Sequence, residues 1–170
     1  SGQVYNSFDN GSTGTWNATT PGNGSALRAI DFYDTRSGTL VDGNQTVFET
    51  SDGSTWSDIG ISDSDVGFYG VDADATDDVW VAGGNGTIFQ WDGSMWTSTK
   101  IGEPTLSDIE VGSDGNGLAT GSSGAIFRYD GSAWSRVDTP TGEDLNAVFM
   151  STSQDTPSIA VGAGGTILEK

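Results

Sequence analysis

The stretch Gly86–Trp96, GTIFQWDGSMW, returns 38 residues later as GAIFRYDGSAW at Gly124–Trp134. A version one residue longer, QTVFETSDGSTW, occupies Gln45–Trp56, and its opening half closes the sequence as GTILEK at Gly165–Lys170. A fixed internal period constrains a chain strongly, because every copy must fold alike and bury its apolar face against its neighbours. The tryptophans mark the period: Trp16, Trp56, Trp96 and Trp134 are 40, 40 and 38 residues apart. Upstream of the copies runs a second element, LRAID at Leu27, FYGVD at Phe68, LSDIE at Leu106 and LNAVF at Leu145, with separations of 41, 38 and 39. A third, TLVDG, VWVAG, GLATG and SIAVG, lies between the two.

Each repeat therefore holds four short segments with strand character, separated by Gly, Asp, Asn and Ser. In the second repeat these are FYGVD, VWVAG, TIFQW and MWTST, with ADATDD, GGNG and DGS as the turns. Strands of about five residues at intervals of about 8 to 12 indicate an all-β protein, and no segment keeps a helical period over about 11 residues. Four strands in about 40 residues is the unit of a β-propeller blade. In TIFQW, Ile88 and Gln90 face one side and Phe89 and Trp91 the other, so both faces of the sheet carry bulk for neighbouring blades. Asp92 and Gly93 supply the acceptor and the unusual backbone angle that close a hairpin, and the tryptophan that follows is delivered to the outer strand.

The combination DVWVAGGNGTIFQWDGSMW (Asp78–Trp96) resembles propeller repeats of bacterial and archaeal extracytoplasmic proteins with the pattern VW-x-V-G-x-G-G-T-I-x-x-x-D-G-x-x-W. TSDGSTW (Thr50–Trp56) is similar to the BNR or Asp-box repeats of sialidases and photosystem II assembly factors. The resemblance implies a β-propeller of four-stranded antiparallel blades and says little of function, since such blades serve many roles.

Counting segments gives four blades. The last repeat lacks an outer strand, whereas TGTWNAT at Thr13–Thr19 is an outer strand with no blade of its own. Pairing it with Thr166–Glu169 would close a four-bladed ring and place Trp16 with the other tryptophans; a five-bladed or partial larger ring is the alternative. Residues 1–12 then form an N-terminal arm and 13–170 the propeller.

Composition narrows the function. The 170 residues contain no cysteine and no histidine, which removes thiol chemistry and the commonest general base and metal ligand. Sialidase chemistry needs converging arginines, and only Arg28, Arg36, Arg128 and Arg136 are present. No catalytic residues and no cofactor are expected. Asp72, Asp74, Asp77 and Asp78 in VDADATDD offer the oxygens a hard cation wants, but the pattern lacks the spacing of an EF-hand loop and does not recur, so solvated acidic turns are the preferred reading. Five sequons, at Asn10, Asn17, Asn23, Asn44 and Asn85, are glycosylation candidates if the protein is exported. The longest apolar runs are too short to span a membrane. Ser1 in place of methionine suggests a processed product or an excised piece.

What remains is a non-catalytic recognition or scaffold module with a protein or glycan partner, placed on a cell or virion surface and forming part of a larger assembly. The alternatives are an extracytoplasmic assembly factor or a degenerate glycosidase-like propeller. Partner-binding residues are expected on the loops that lead from an outer strand to the next inner strand, at Ile59, Ile61, Lys100, Glu103 and Arg136. Nucleic acid is not a partner for a chain with 24 acidic and 6 basic residues and a net charge of -18.

Aspartate outnumbers glutamate 19 to 5, and lysine occurs only at positions 100 and 170. Such a surface suits a salt-loving organism, where molar salt shortens the Debye length to about 3 Å and screens self-repulsion. The melting temperature should accordingly rise between 0.05 M and 2 M KCl. A thermal melt that is unchanged or lower at high salt would reject the halophilic reading.

Overall fold

The computed structural model describes residues 2–7, 11, 16–22, 24–61, 65–151 and 157–170. The chain is all-β, a four-blade β-propeller arrangement. Ahead of the blades, β1 (Val4–Asn6) and β2 (Asn17–Thr19) form a two-stranded antiparallel sheet. Blade 1 holds β3 (Leu27–Phe32), β4 (Gly38–Asp42), β5 (Val47–Thr50) and β6 (Ser57–Asp58). Blade 2 holds β7 (Phe68–Ala75), β8 (Asp78–Gly83), β9 (Thr87–Trp91) and β10 (Trp96–Lys100). Blade 3 consists of β11 (Leu106–Val111), β12 (Gly117–Gly121), β13 (Ala125–Tyr129) and β14 (Trp134–Val137), and blade 4 of β15 (Leu145–Phe149), β16 (Ile159–Gly162) and β17 (Ile167–Glu169). Every blade is an antiparallel meander in which consecutive strands pair.

Within a blade the alternation of side chains dictates the packing. Val71, Val81 and Phe89 stand opposite one another across β7, β8 and β9, and all three belong to the core shared with Val41 and Val47 of blade 1. On the other face of the same sheet, Trp80, Ala82 and Ile88 join Leu106, Ile109 and Phe127 of blade 3. The third core, between blades 3 and 4, is smaller: Leu118 and Ile126 meet Leu145, Val148, Ala160 and Leu168. Blade 2 thus packs on blade 1, blade 3 on blade 2 and blade 4 on blade 3. Each inner strand also carries an irregularity after its first residue, at Leu27/Ala29, Phe68/Gly70, Leu106/Asp108 and Leu145/Ala147. A bulge repeated at one position bends each inner strand in the same way, which keeps successive blades equivalent.

The turns do what their letters require. Asp92 accepts the backbone N–H groups of Ser94 (2.9 Å) and Met95 (2.8 Å), and Asp130 accepts those of Ser132 and Ala133 (both 2.9 Å). Asp52 takes the Thr55 hydroxyl and the N–H groups of Thr55 and Ser54, which holds its carboxyl well below the usual carboxylate range. Gly86 has φ +62°, and a Cβ there would stand 2.4 Å from the carbonyl oxygen of Gly102, where the chain crosses into blade 3. Only glycine meets both conditions.

Two expectations need correction. First, β7 continues through Ala73, Asp74 and Ala75, which the sequence reading places in a loop; the Ala73 N–H is held by Asp31 of the preceding blade at 3.0 Å. Second, β2 does not complete blade 4. It pairs with β1, inside the segment read as an arm, through Val4↔Thr19, Tyr5↔Ala18 and Asn6↔Asn17. The pair is fixed against blade 1 by the Gly2 N–H to Gly24 carbonyl bond (2.9 Å) and the Asn6 side chain on the Gly53 carbonyl (2.7 Å). Residues Thr13–Thr15 of the proposed closing strand lie outside the described residues.

Truncating the fully buried Ile109 to Ala should cost about 2 to 5 kcal/mol in a denaturant melt, the usual range for such a cavity. Met95→Ala, on an exposed turn, should change stability by less than about 0.5 kcal/mol. Equal effects would mean that the inter-blade faces do not carry the stability.

Candidate functional site

The inner strands bring a row of carboxylates together. Asp31, Asp72 and Glu110 occupy the same position in β3, β7 and β11, and each reaches across to a backbone N–H of the next blade: Ala73 (3.0 Å), Val111 (3.1 Å) and Met150 (2.5 Å). Asp108 adds a fourth link of this kind, to the Val148 N–H at 2.9 Å. In β15 the corresponding residue is Phe149, so the series ends there. Burial raises Asp72 to about 7, helped by the negative charges of Asp31, Asp74 and Glu110, and is also the largest influence raising Asp74, Asp108 and Glu110. The row is a structural clasp between blades.

The candidate binding site lies farther out, between blades 3 and 4. A cleft of about 510 Å³ opens there, floored by Leu118, Ile126, Ile159 and Leu168, with Arg128 and Lys170 among its polar residues. Its origin is visible in the other blades. Trp96 of β10 packs into the core between blades 1 and 2, donating its indole N–H to the Ile59 carbonyl at 3.0 Å. Trp134 of β14 packs on Trp80 and Tyr129 between blades 2 and 3, with ring centroids 6.2 and 5.1 Å away. Blade 4 has three strands among the described residues, and the cleft lies where its outer tryptophan would stand. The outer edge of β17 borders this space.

The residues singled out from sequence are distributed differently. Ile59 and Ile61 are half-buried against the core between blades 1 and 2. Lys100 and Glu103 pair with each other at 2.9 Å on the surface, and the Arg136 guanidinium lies 6.0 Å from the centroid of the Phe127 ring. Ile59, Ile61 and Glu103 lie where one blade hands over to the next, whereas Lys100 and Arg136, expected on such loops, belong to the outer strands β10 and β14 because these strands run on past their tryptophans; none of the five lines the cleft. The four acidic candidates for a cation have separate occupations: Asp72 holds the Val111 N–H, Asp78 accepts the Trp80 indole N–H (2.8 Å), Asp77 lies against Gly93, and Asp74 is exposed. Among the described residues no three acidic side chains come together as a cation site. Asn17, Asn44 and Asn85 are exposed; Asn10 and Asn23 lie outside the described residues. The cleft was missed because its lining comes from two different blades, Leu118 and Ile126 of blade 3 with Ile159 and Leu168 of blade 4, which no local motif joins.

No family model and no curated protein matches the chain. Solved structures do. The chain is similar to catalytically inactive virginiamycin B lyase from Staphylococcus aureus with quinupristin, at 14% identity and a TM-score of 0.75, over 99% of this chain and 62% of that one. It is similar to YCF48 bound to D1 peptide, at 20% identity and a TM-score of 0.65, over 89% of this chain and 55% of that one. The computationally designed Ika4 protein matches at 14% identity and a TM-score of 0.68, over 89% of this chain and 94% of that one. The chain thus spans little more than half of the YCF48 and lyase chains, and identities this low establish the shared β-propeller fold alone.

The clasp has a pH signature. Between 3.8 and about 7 the folded chain keeps a proton on Asp72 that the unfolded chain has released. Stability therefore falls as pH rises through that window. Melting temperature is expected to climb as pH is lowered from about 7.5 to about 5. Asp72→Asn, which keeps an acceptor for the Val111 N–H, should flatten the slope. A level wild-type profile, or one that the substitution leaves unchanged, would contradict burial as the dominant influence on this group.

Proposed function

We propose that this protein is a non-catalytic recognition module that binds protein partners by accepting an extended, tryptophan-bearing segment in the cleft between blades 3 and 4, beside β17. The observation that carries the reading is the cleft between blades 3 and 4 beside the outer edge of β17. The strand edge offers backbone hydrogen bonds, and the cleft offers an apolar pocket for one large side chain. Affinity from the backbone and specificity from a pocket is the general logic of strand addition. Arg128 and Lys170 stand beside Asp114, Asp138 and Glu169 around the cleft, so its rim offers charges of both signs and suits a segment without strong net charge.

A role as an assembly factor is the second reading, favoured by the similarity to YCF48, which has been solved with D1 peptide bound. Both readings describe a propeller that holds a polypeptide rather than one that transforms a substrate. Placement on the surface of a halophilic cell or virion is the setting we propose, supported by the aspartate-rich composition and the exposed sequons at Asn17, Asn44 and Asn85.

The test uses the chain's own outer strand as probe, an acetylated peptide of Gly93–Lys100, GSMWTSTK. Saturable binding by calorimetry is expected, weakened at least tenfold by Leu118→Arg, which fills the cleft, and by alanine in place of the peptide's tryptophan. Circular dichroism shows whether the Leu118 variant is folded. Absence of binding, or binding indifferent to both changes, would refute the site.

A further inference from the structure

One residue of each inner strand stands outside its ladder. The irregularity shared by β3, β7, β11 and β15 leaves Arg28, Tyr69, Ser107 and Asn146 without a partner on the second strand, at the same position in all four blades. A bulge re-aims the side chain it extrudes. Phe68, Leu106 and Leu145, one residue earlier, are fully buried, whereas Arg28 and Asn146 are exposed, Tyr69 is 36% exposed and Ser107 is half-buried. The bulged position therefore carries a guanidinium, a phenol, a hydroxyl and a carboxamide, one hydrogen-bonding group from each blade.

These groups are neighbours. The inner strands touch in succession, β3 with β7, β7 with β11 and β11 with β15. The Arg28 guanidinium lies over the Tyr69 ring, 5.7 Å from its centroid. A Cβ on Gly70 would stand 2.7 Å from the Asp108 Cα, so the residues that follow Tyr69 and Ser107 nearly meet. Asp108 in turn holds the Val148 N–H, two residues past Asn146, at 2.9 Å. The nearest backbone to the first pair is glycine: a Cβ on Gly43 would come within 3.4 Å of Arg28 Nε and one on Gly67 within 3.3 Å of the Tyr69 hydroxyl, so no side chain at either position covers these groups. The fold does not use them. Among the described residues Arg28 has no acidic partner, in a chain with 24 acidic residues, and the side chains of Tyr69, Ser107 and Asn146 make no hydrogen bond.

We infer that Arg28, Tyr69, Ser107 and Asn146 form a binding site for an uncharged sugar, separate from the cleft between blades 3 and 4. A guanidinium offers two parallel donors spaced for two acceptor oxygens, and adjacent sugar hydroxyls present that spacing. Hydroxyls also donate, and the Tyr69 and Ser107 oxygens and the Asn146 carbonyl can accept. The open part of the Tyr69 ring supplies an apolar surface for the C–H groups of the sugar, beside a polar tip that hydrogen-bonds. An anion would satisfy Arg28 but leave those acceptors idle, and it would meet the field of a chain with net charge -18. The row holds no second large apolar side chain to make a pocket for a peptide anchor.

The test is a heteronuclear NMR titration of the full chain with methyl β-D-glucopyranoside, methyl β-D-galactopyranoside and methyl α-D-mannopyranoside. Saturable shifts are expected with at least one of them, centred on the Arg28 Nε–H and on the signals of Tyr69, Ser107 and Asn146. Arg28→Gln and Tyr69→Ala should each weaken binding at least tenfold with the circular dichroism spectrum unchanged, whereas Leu118→Arg, in the cleft, should leave it as it is. No saturable shift with any of the three glycosides overturns the inference. So does tighter binding of D-glucuronate than of methyl β-D-glucopyranoside, which would make this a carboxylate site. Shifts at the same four residues on adding GSMWTSTK would assign them to the peptide site and overturn it as well. The peptide is expected to shift Leu118 and Ile126 instead, so the sugar site and the cleft stand or fall separately.

Discussion

The structure depends on one contact made repeatedly: the forward face of a blade against the inner strand of the next. An isolated sheet of four short strands with bulk on both faces has nowhere to hide it, so each blade is stable only with neighbours. The apolar part of that contact is supplied by residues such as Val71, Val81, Ile88 and Ile109, and the polar part by a carboxylate that accepts a backbone N–H from the inner strand ahead. Burying those carboxylates opposes folding when they are ionised. The N–H groups they hold would be costly if left without partners away from water.

A second consequence follows from building by repetition. In a series of equivalent blades the faces of blades 1 and 4 are as apolar as those between blades, with Ile30, Phe32, Phe149, Val161 and Ile167 exposed. Natural sheets must cover or blunt such edges. Here the N-terminal pair covers part of one end, with Gly22 lying against the Phe48 ring, and leaves Ile30 and Phe32 open. The other end has no charged side chain at Val161, Ile167 or Phe149 to blunt it. The functional reading grows from the cleft between blades 3 and 4.

Much of the fold was legible in the letters. The period gave four blades, the alternation in TIFQW assigned Ile88 and Phe89 to opposite neighbours, and Asp92 and Asp130 closed the turns as their type requires. The carboxylate clasp was within reach, since the acid of LRAID, FYGVD and LSDIE recurs at one position and is replaced by phenylalanine in LNAVF. Its role was hidden because an acid beside the aspartate-rich ADATDD reads as one more solvated residue. Ring closure was not legible: WNAT has the letters of an outer strand wherever it pairs, and its choice of partner is set by the path of the whole series. That Ile59 and Ile61, expected among the partner-binding residues, pack partly against the core between blades 1 and 2 was not legible either, because loop composition does not report the neighbouring core.

The central claim is that inter-blade contacts, carboxylate clasp included, hold the blades as one cooperative unit. Amide hydrogen exchange tests it most directly at Ala73, Val111 and Met150, whose N–H groups point to a carboxylate of the preceding blade. Exchange at these three amides is expected only through global unfolding, at rates matching the central strand amides of β8 and β12. Exchange as fast as that of an exposed amide, while β8 and β12 stay protected, would mean that the blades open one from another in the native state.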